Sequence, residues 1–171
     1  MGDSHVRRIA VHRNLLHEKL NRGEVSVSFL HRGGAELQFI LQNMDQARGF
    51  DIVIVKASGN DLANGAQPPY YSYYYDSIEA KARELNISQV IITSLWPRHN
   101  PSYHAVARQH FKYWSGHYSQ HNFITFWSWD RRQSYRTYDG THLEQRGYEK
   151  AVQYLIAPIL WAVKWLERRQ N

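Results

Sequence analysis

Asp51-Ile-Val-Ile-Val-Lys-Ala57 is a nearly continuous apolar run between turn residues, the pattern of a strand covered on both faces. Gln89 to Leu95 (QVIITSL) repeats it, and Val25 to Leu30 and Asn122 to Trp127 (NFITFW) also read as strands. Between them the apolar spacing turns helical. Val6 to Asn21 has a face through Val6, Ile9, Ala10, Leu16 and Leu20, and Ala35 to Ala47 has one through Leu37, Ile40, Leu41 and Met44. Ser77 to Asn86, Ala105 to Tyr118 and Glu144 to Glu167 read as further helices, the last bent at Pro158, which lacks a backbone donor. Strands and helices alternating at this spacing predict βαβ units, a mainly parallel sheet and helices on both faces. The expected fold is a three-layer α/β/α, flavodoxin-like domain spanning residues 1–171.

Length and composition agree. The 171 residues fit one domain, and 43% hydrophobic content supports a core without covalent staples. The absence of cysteine excludes a disulfide framework, a thiolate metal site and a cysteine nucleophile. No apolar run reaches the ~18 residues that span a bilayer, and the amino end has no secretory core or myristoylation pattern, so an intracellular chain is expected. The net charge of +6 favours anionic partners, with anionic lipid or nucleic acid as candidates. The arginines are nevertheless scattered, at Arg7, Arg8 and Arg13, at Arg131, Arg132 and Arg136, and at Arg168 and Arg169, as on a solvated basic surface.

Right-handed crossovers place the carboxyl ends of parallel strands on one edge, where such sheets bind ligands. Four polar stretches fall there or at helix starts: Gly2-Asp3-Ser4-His5, His31-Arg32-Gly33-Gly34, Ser58-Gly59-Asn60-Asp61 and Asp139-Gly140-Thr141-His142. Each has an ordinary structural explanation, because Ser, Asp and Thr cap helices and paired glycines make turns. Their joint occurrence in this order is what carries information.

The combination resembles the SGNH (GDSL-type) hydrolase family. Gly2-Asp3-Ser4 matches its first block, the glycine turn at Gly33-Gly34 its second, Ser58-Gly59-Asn60-Asp61 its third, and Asp139 with His142 its last. The opening Gly-Asp-Ser-His-Val-Arg-Arg is also similar to the esterase domains of some LINE-type retrotransposon proteins. The resemblance implies a serine esterase with a catalytic triad of Ser4 as nucleophile, His142 as base and Asp139 as its orienter. It places the oxyanion hole at the backbone N–H of Ser4, that of Gly34 in preference to Gly33, and the Asn60 amide. No cofactor is implied. Acetyl, longer acyl, thioester and carbohydrate acetate substrates all fit, and Asp3 and Asp61 brace turns. A catalytically silent lipid- or nucleic-acid-binding module on the same fold is the alternative.

The chain departs from the family in two ways. Family members carry a buried strand before the first block, whereas only Met1 precedes it here, so the chain is either a fragment or lacks its first strand. Ser58 stands where the third block usually has glycine.

Three weaker signals remain. Pro68 to Tyr75 (PPYYSYYY) reads as a loop, either a substrate rim or a patch packed on its own rings. A long loop from Ser128 to Tyr138 carries Trp129, Tyr135 and Tyr138 among three arginines and reads as an acyl pocket ahead of a nucleic-acid patch. His117 and His121 are four apart but lack the Glu of a zinc motif, so no metal is expected.

Overall fold

The computed structural model describes residues 1–20, 25–93, 101–120, 123–127, 139 and 142–170. Strands β1 (Ile52–Val55), β2 (Gln89–Thr93) and β3 (Ile124–Trp127) form a parallel sheet in that order. Val53 lies opposite Val90, and Ile91 opposite Thr125. All five residues of β2 are buried, as a middle strand between two helical layers requires.

On one side of the sheet, α3 (Leu37–Gln42), α5 (Pro68–Glu84) and α6 (Pro101–His117) share a core with Val53, Val55, Val90 and Ile92. On the other, α1 (Ser4–Val11), α2 (Arg13–Lys19) and α7 (Gln145–Gln170) close over Ile9, Leu16, Leu143, Val152 and Ile159, with Ile54 of β1 against them. Alternate residues of β1 thus face opposite layers. A short α4 (Gly59–Ala63) follows β1, and the architecture is the expected three-layer α/β/α. Among the described residues no helix is long and apolar enough to cross a membrane.

Gly2 and its neighbours take a strand's place beside β1. Gly2 bridges in parallel to His31 on one side and to Lys56, just past β1, on the other. Gly2 N–H donates to Leu30 O (2.9 Å) and Arg32 N–H to Gly2 O (3.1 Å), while Lys56 N–H donates to Met1 O (2.9 Å). The Met1 amine donates to Ile54 O at 2.6 Å, and burial pushes its pKa down to about 5. Glycine is required at position 2, since a Cβ there would lie 2.2 Å from Lys56 O and 2.5 Å from Val6 Cγ2.

Val25 to Leu30, expected as a strand, is not one. Its side chains do pack as predicted, with Val25, Val27 and Phe29 against the α1–α2–α7 core. A strand also needs a backbone neighbour, and the residues that reach it, Gly2 and its flanks, pair only at its carboxyl end. Beside Met1, cavities of ≈ 130 Å³ and ≈ 220 Å³ separate this segment from β1, lined by Val27, Phe29, Leu30, Phe50, Ile52 and Ile54.

Other boundaries also differ from expectation. The first helix begins earlier, with Asp3 as its N-cap, and breaks at His12 into α1 and α2. The second shortens to α3 followed by a 3₁₀ turn at Met44–Ala47. Pro68 to Tyr75 is the start of α5 and not a loop, because proline is pre-organised for the first helical turn. Its rings divide between layers, Tyr71 and Tyr75 buried with Ile78 and Ala82, and Tyr73 exposed. Pro158 lies within α7. The Ser128–Tyr138 loop, with Trp129, Arg131, Arg132, Tyr135, Arg136 and Tyr138, lies outside the described residues, as do Ser94, Leu95, His121 and Asn122.

Candidate active site

Ser4 is the first residue of α1, directly after the Gly2 bridge, so the sheet edge fixes where its hydroxyl emerges. Asp3 caps the helix by accepting from His5 N–H at 2.9 Å and forms a buried ion pair with Lys56 Nζ at 3.3 Å. Burial raises the carboxyl's pKa, but the Lys56 ammonium, the neighbouring His5 and hydrogen bonds from both outweigh it and hold the group below the usual carboxylate range.

The far end of the chain supplies the partners. Ser4 Oγ lies 2.9 Å from His142 Nε2. His142 Nδ1 lies 2.5 Å from Asp139 Oδ2, and the His142 backbone N–H donates to Asp139 Oδ1 at 2.6 Å. The carboxylate therefore grips both ring and main chain of one residue. With Nδ1–H donating to Asp139, Nε2 is left to accept the Ser4 hydroxyl hydrogen. The Asp139 and His142 side chains are 38% and 21% exposed, open enough for a substrate to reach the pair.

The second and third blocks meet each other. Asn60 Nδ2–H donates to Ala35 O at 3.0 Å, and Leu37 N–H donates to Asp61 Oδ1 at 3.0 Å. These bonds hold the 34–37 turn against α4. Tyr70 O–H also donates to Asp61 Oδ1, and burial raises the Asp61 pKa against both bonds. Of the two glycines, Gly34 has φ +70°, a conformation that favours glycine, and Gly33 does not.

Ser58 adopts φ +74°, which accounts for the glycine usual at this position. Its hydroxyl lies 2.8 Å from Tyr75 OH, which in turn lies 3.2 Å from His110 Nε2. Burial pushes the His110 pKa down to about 4 from 6.5, so the unfolded chain takes up a proton before the folded one as pH falls. Stability is present in full above about pH 6.5 and drains between there and about pH 4. At 1.36 kcal/mol per unit, the loss expected between about pH 7 and about pH 4.5 is about 2–3 kcal/mol. Urea melts of the native chain and His110→Gln at both pH values check this. An equal loss in the two proteins would remove His110 as its source.

Sequence reasoning marked the stretch holding Tyr70 and Tyr75 as a candidate substrate rim, but did not single out Lys56, His110 or Tyr148 as neighbours of the site. The fold brings them there from separate elements, and no local motif marks them. A buried lysine inside an apolar run, as at Lys56, was the one available signal.

No protein-family model matches the chain, and no curated protein matches it by sequence. Solved structures do match by shape. A protein from Desulfitobacterium hafniense DCB-2 assigned to the lipolytic G-D-S-L family superposes with a TM-score of 0.71 at 15% identity, covering 92% of this chain and 95% of that one. A carbohydrate esterase family 3 protein from Talaromyces cellulolyticus gives 0.68 at 17% identity, covering 96% of each chain. A family 3 carbohydrate esterase from Clostridium thermocellum gives 0.65 at 19% identity, covering 89% and 88%. The chain therefore has the fold of the SGNH (GDSL-type) hydrolases. At these identities the likeness speaks for the fold, and the chemistry rests on the side chains.

Proposed function

We propose that the chain is a serine esterase that cleaves carboxylic esters of small molecules through an acyl-enzyme on Ser4. The observation that carries the reading is the unbroken run of contacts from Ser4 Oγ to His142 Nε2 and from His142 Nδ1 to Asp139 Oδ2. His142 takes the Ser4 proton as Oγ attacks the ester carbonyl, and Asp139 stabilises the imidazolium and fixes its tautomer. The oxyanion is received by the N–H of Ser4, among the α1 donors that lack an intrahelical partner, by that of Gly34, and by the Asn60 amide. His142 then gives its proton to the leaving alcohol. Water, deprotonated by the same imidazole, releases the acid and restores Ser4. No step draws on a cofactor.

The likeness in shape to carbohydrate esterases supports an ester borne on a carbohydrate as the substrate. Incubation with diethyl p-nitrophenyl phosphate is expected to release one p-nitrophenolate per chain and leave a diethyl phosphoryl group on Ser4, located by peptide mass mapping. Labelling elsewhere, or none under conditions where the chain is folded, would refute the assignment. An unlabelled chain retained on nucleic acid in a salt-dependent way would be the binding module instead.

A further inference from the structure

Two buried polar side chains that the proposed chemistry does not use lie beside its nucleophile and its base. His5, next to Ser4, and Tyr148, in the first turns of α7, are each 3% exposed. Tyr148 OH accepts the backbone N–H of Leu143 at 3.3 Å and lies 3.0 Å from His5 Nδ1. Leu143 directly follows His142, and the His5 and His142 rings pack with centroids 5.4 Å apart. One phenolic oxygen thus joins the neighbour of the nucleophile to the neighbour of the base.

Packing alone does not call for this pair. The surrounding core is Ile9, Leu16, Leu143 and Val152, where a leucine and a phenylalanine would bury as well without polar atoms to satisfy. Asp139, which holds His142 from the other side, is 38% exposed. A base whose orienting carboxylate is this exposed can tilt away from its nucleophile, and a misplacement of ~1 Å can cost roughly 100-fold.

We propose that Tyr148 and His5 are positioning residues that act as a clamp on His142. The Tyr148 oxygen holds the Leu143 amide, its hydrogen goes to His5 Nδ1, and the catalytic loop is thereby tied to the start of α1. His5 itself is tied down on the other side, through its own N–H to Asp3 Oδ1. The proposal rests on the esterase reading, and its test has a readout that does not.

With p-nitrophenyl acetate as probe, Tyr148→Phe is expected to lower kcat roughly 10- to 100-fold with KM within about threefold of the native value. His5→Leu is expected to fall similarly. His5→Asn, whose Oδ1 can stand where Nδ1 stands, is expected to recover most of the loss. Amide exchange of Leu143 is expected to quicken at least ~10-fold in Tyr148→Phe, while the Val152 and Leu155 amides of α7 stay protected.

An unchanged kcat in Tyr148→Phe, or equal losses in His5→Asn and His5→Leu, would overturn the clamp. If the native chain neither turns over ester nor labels at Ser4, the esterase reading fails on its own account. The Leu143 exchange rate then decides the clamp, quicker exchange with a shifted His142 ring signal supporting it and unchanged exchange overturning it.

Discussion

Replacing His142 with alanine is expected to lower turnover of p-nitrophenyl acetate by roughly 10⁴- to 10⁶-fold. The same change made in a chain already carrying Ser4→Ala is expected to cost almost nothing more. On the proposed mechanism the two side chains act as one device, because Oγ is a poor nucleophile until Nε2, 2.9 Å away, takes its proton. A loss near 10⁵ corresponds to about 7 kcal/mol of transition-state stabilisation. On the proposed mechanism, what is expected to survive in either single variant is the oxyanion contribution of Gly34, Asn60 and the start of α1. Steady-state kinetics on the two single variants and the double variant form the test. If the two losses multiply, Ser4 and His142 work independently and the mechanism is wrong.

The second large effect concerns the fold. Lys56→Met is expected to destabilise the chain by roughly 3–5 kcal/mol, because it strips the ammonium from Asp3, a carboxylate 1% exposed. For a chain of this length, that is a fall of roughly 10 °C or more in Tm. Adding Asp3→Asn is expected to restore most of it, since asparagine still caps α1 through Oδ1 but carries no charge to bury. The pH dependence separates the variants. Asp3 is held below its ordinary value of 3.8, so its contribution is complete above that pH and disappears as pH falls through the lowered folded-state value. In Lys56→Met the depressing charge is gone, and that acid-side loss is expected to vanish or reverse. Thermal melts across the acid range decide. A double variant no more stable than Lys56→Met alone would show that the pair does not behave as a compensated charge.

How far the amino-acid sequence reveals this molecule depends on the range of the interaction. Runs such as Ile52–Val55 and Gln89–Thr93 could be read directly, because a strand buried on both faces needs apolar residues throughout. Val25 to Leu30 shows the limit. Its side chains alternate correctly, but its pairing with Gly2 falls only where the segment ends, at Leu30 and just beyond. The Tyr-rich stretch after Pro68 misled differently, since turn-like composition masked a helix whose buried stripe of Tyr71, Tyr75, Ile78 and Ala82 becomes plain once the first turn is granted to the prolines. At the candidate site, Ser4, Gly34, Asn60, Asp139 and His142 stood out as members of short blocks. Lys56 and Tyr148 did not, and His5 showed only as the end of the first block, because their roles come from what touches them across the fold. The left-handed backbone at Ser58 was hinted at only by the glycine usual there.

The hydrogen bond between Ser4 and His142 spans 138 positions of chain. Closing so long a loop costs about 4 kcal/mol of chain entropy beyond a length-independent constant, and the cost is recovered only when α1 and α7 dock together. On the proposed mechanism, the ribosome must therefore deliver the start of α7 before any hydrolytic competence can arise. A nascent polypeptide stalled short of that point carries its nucleophile with no base to arm it. Catalytic activity in a preparation would accordingly report on completed folding more directly than secondary-structure content does.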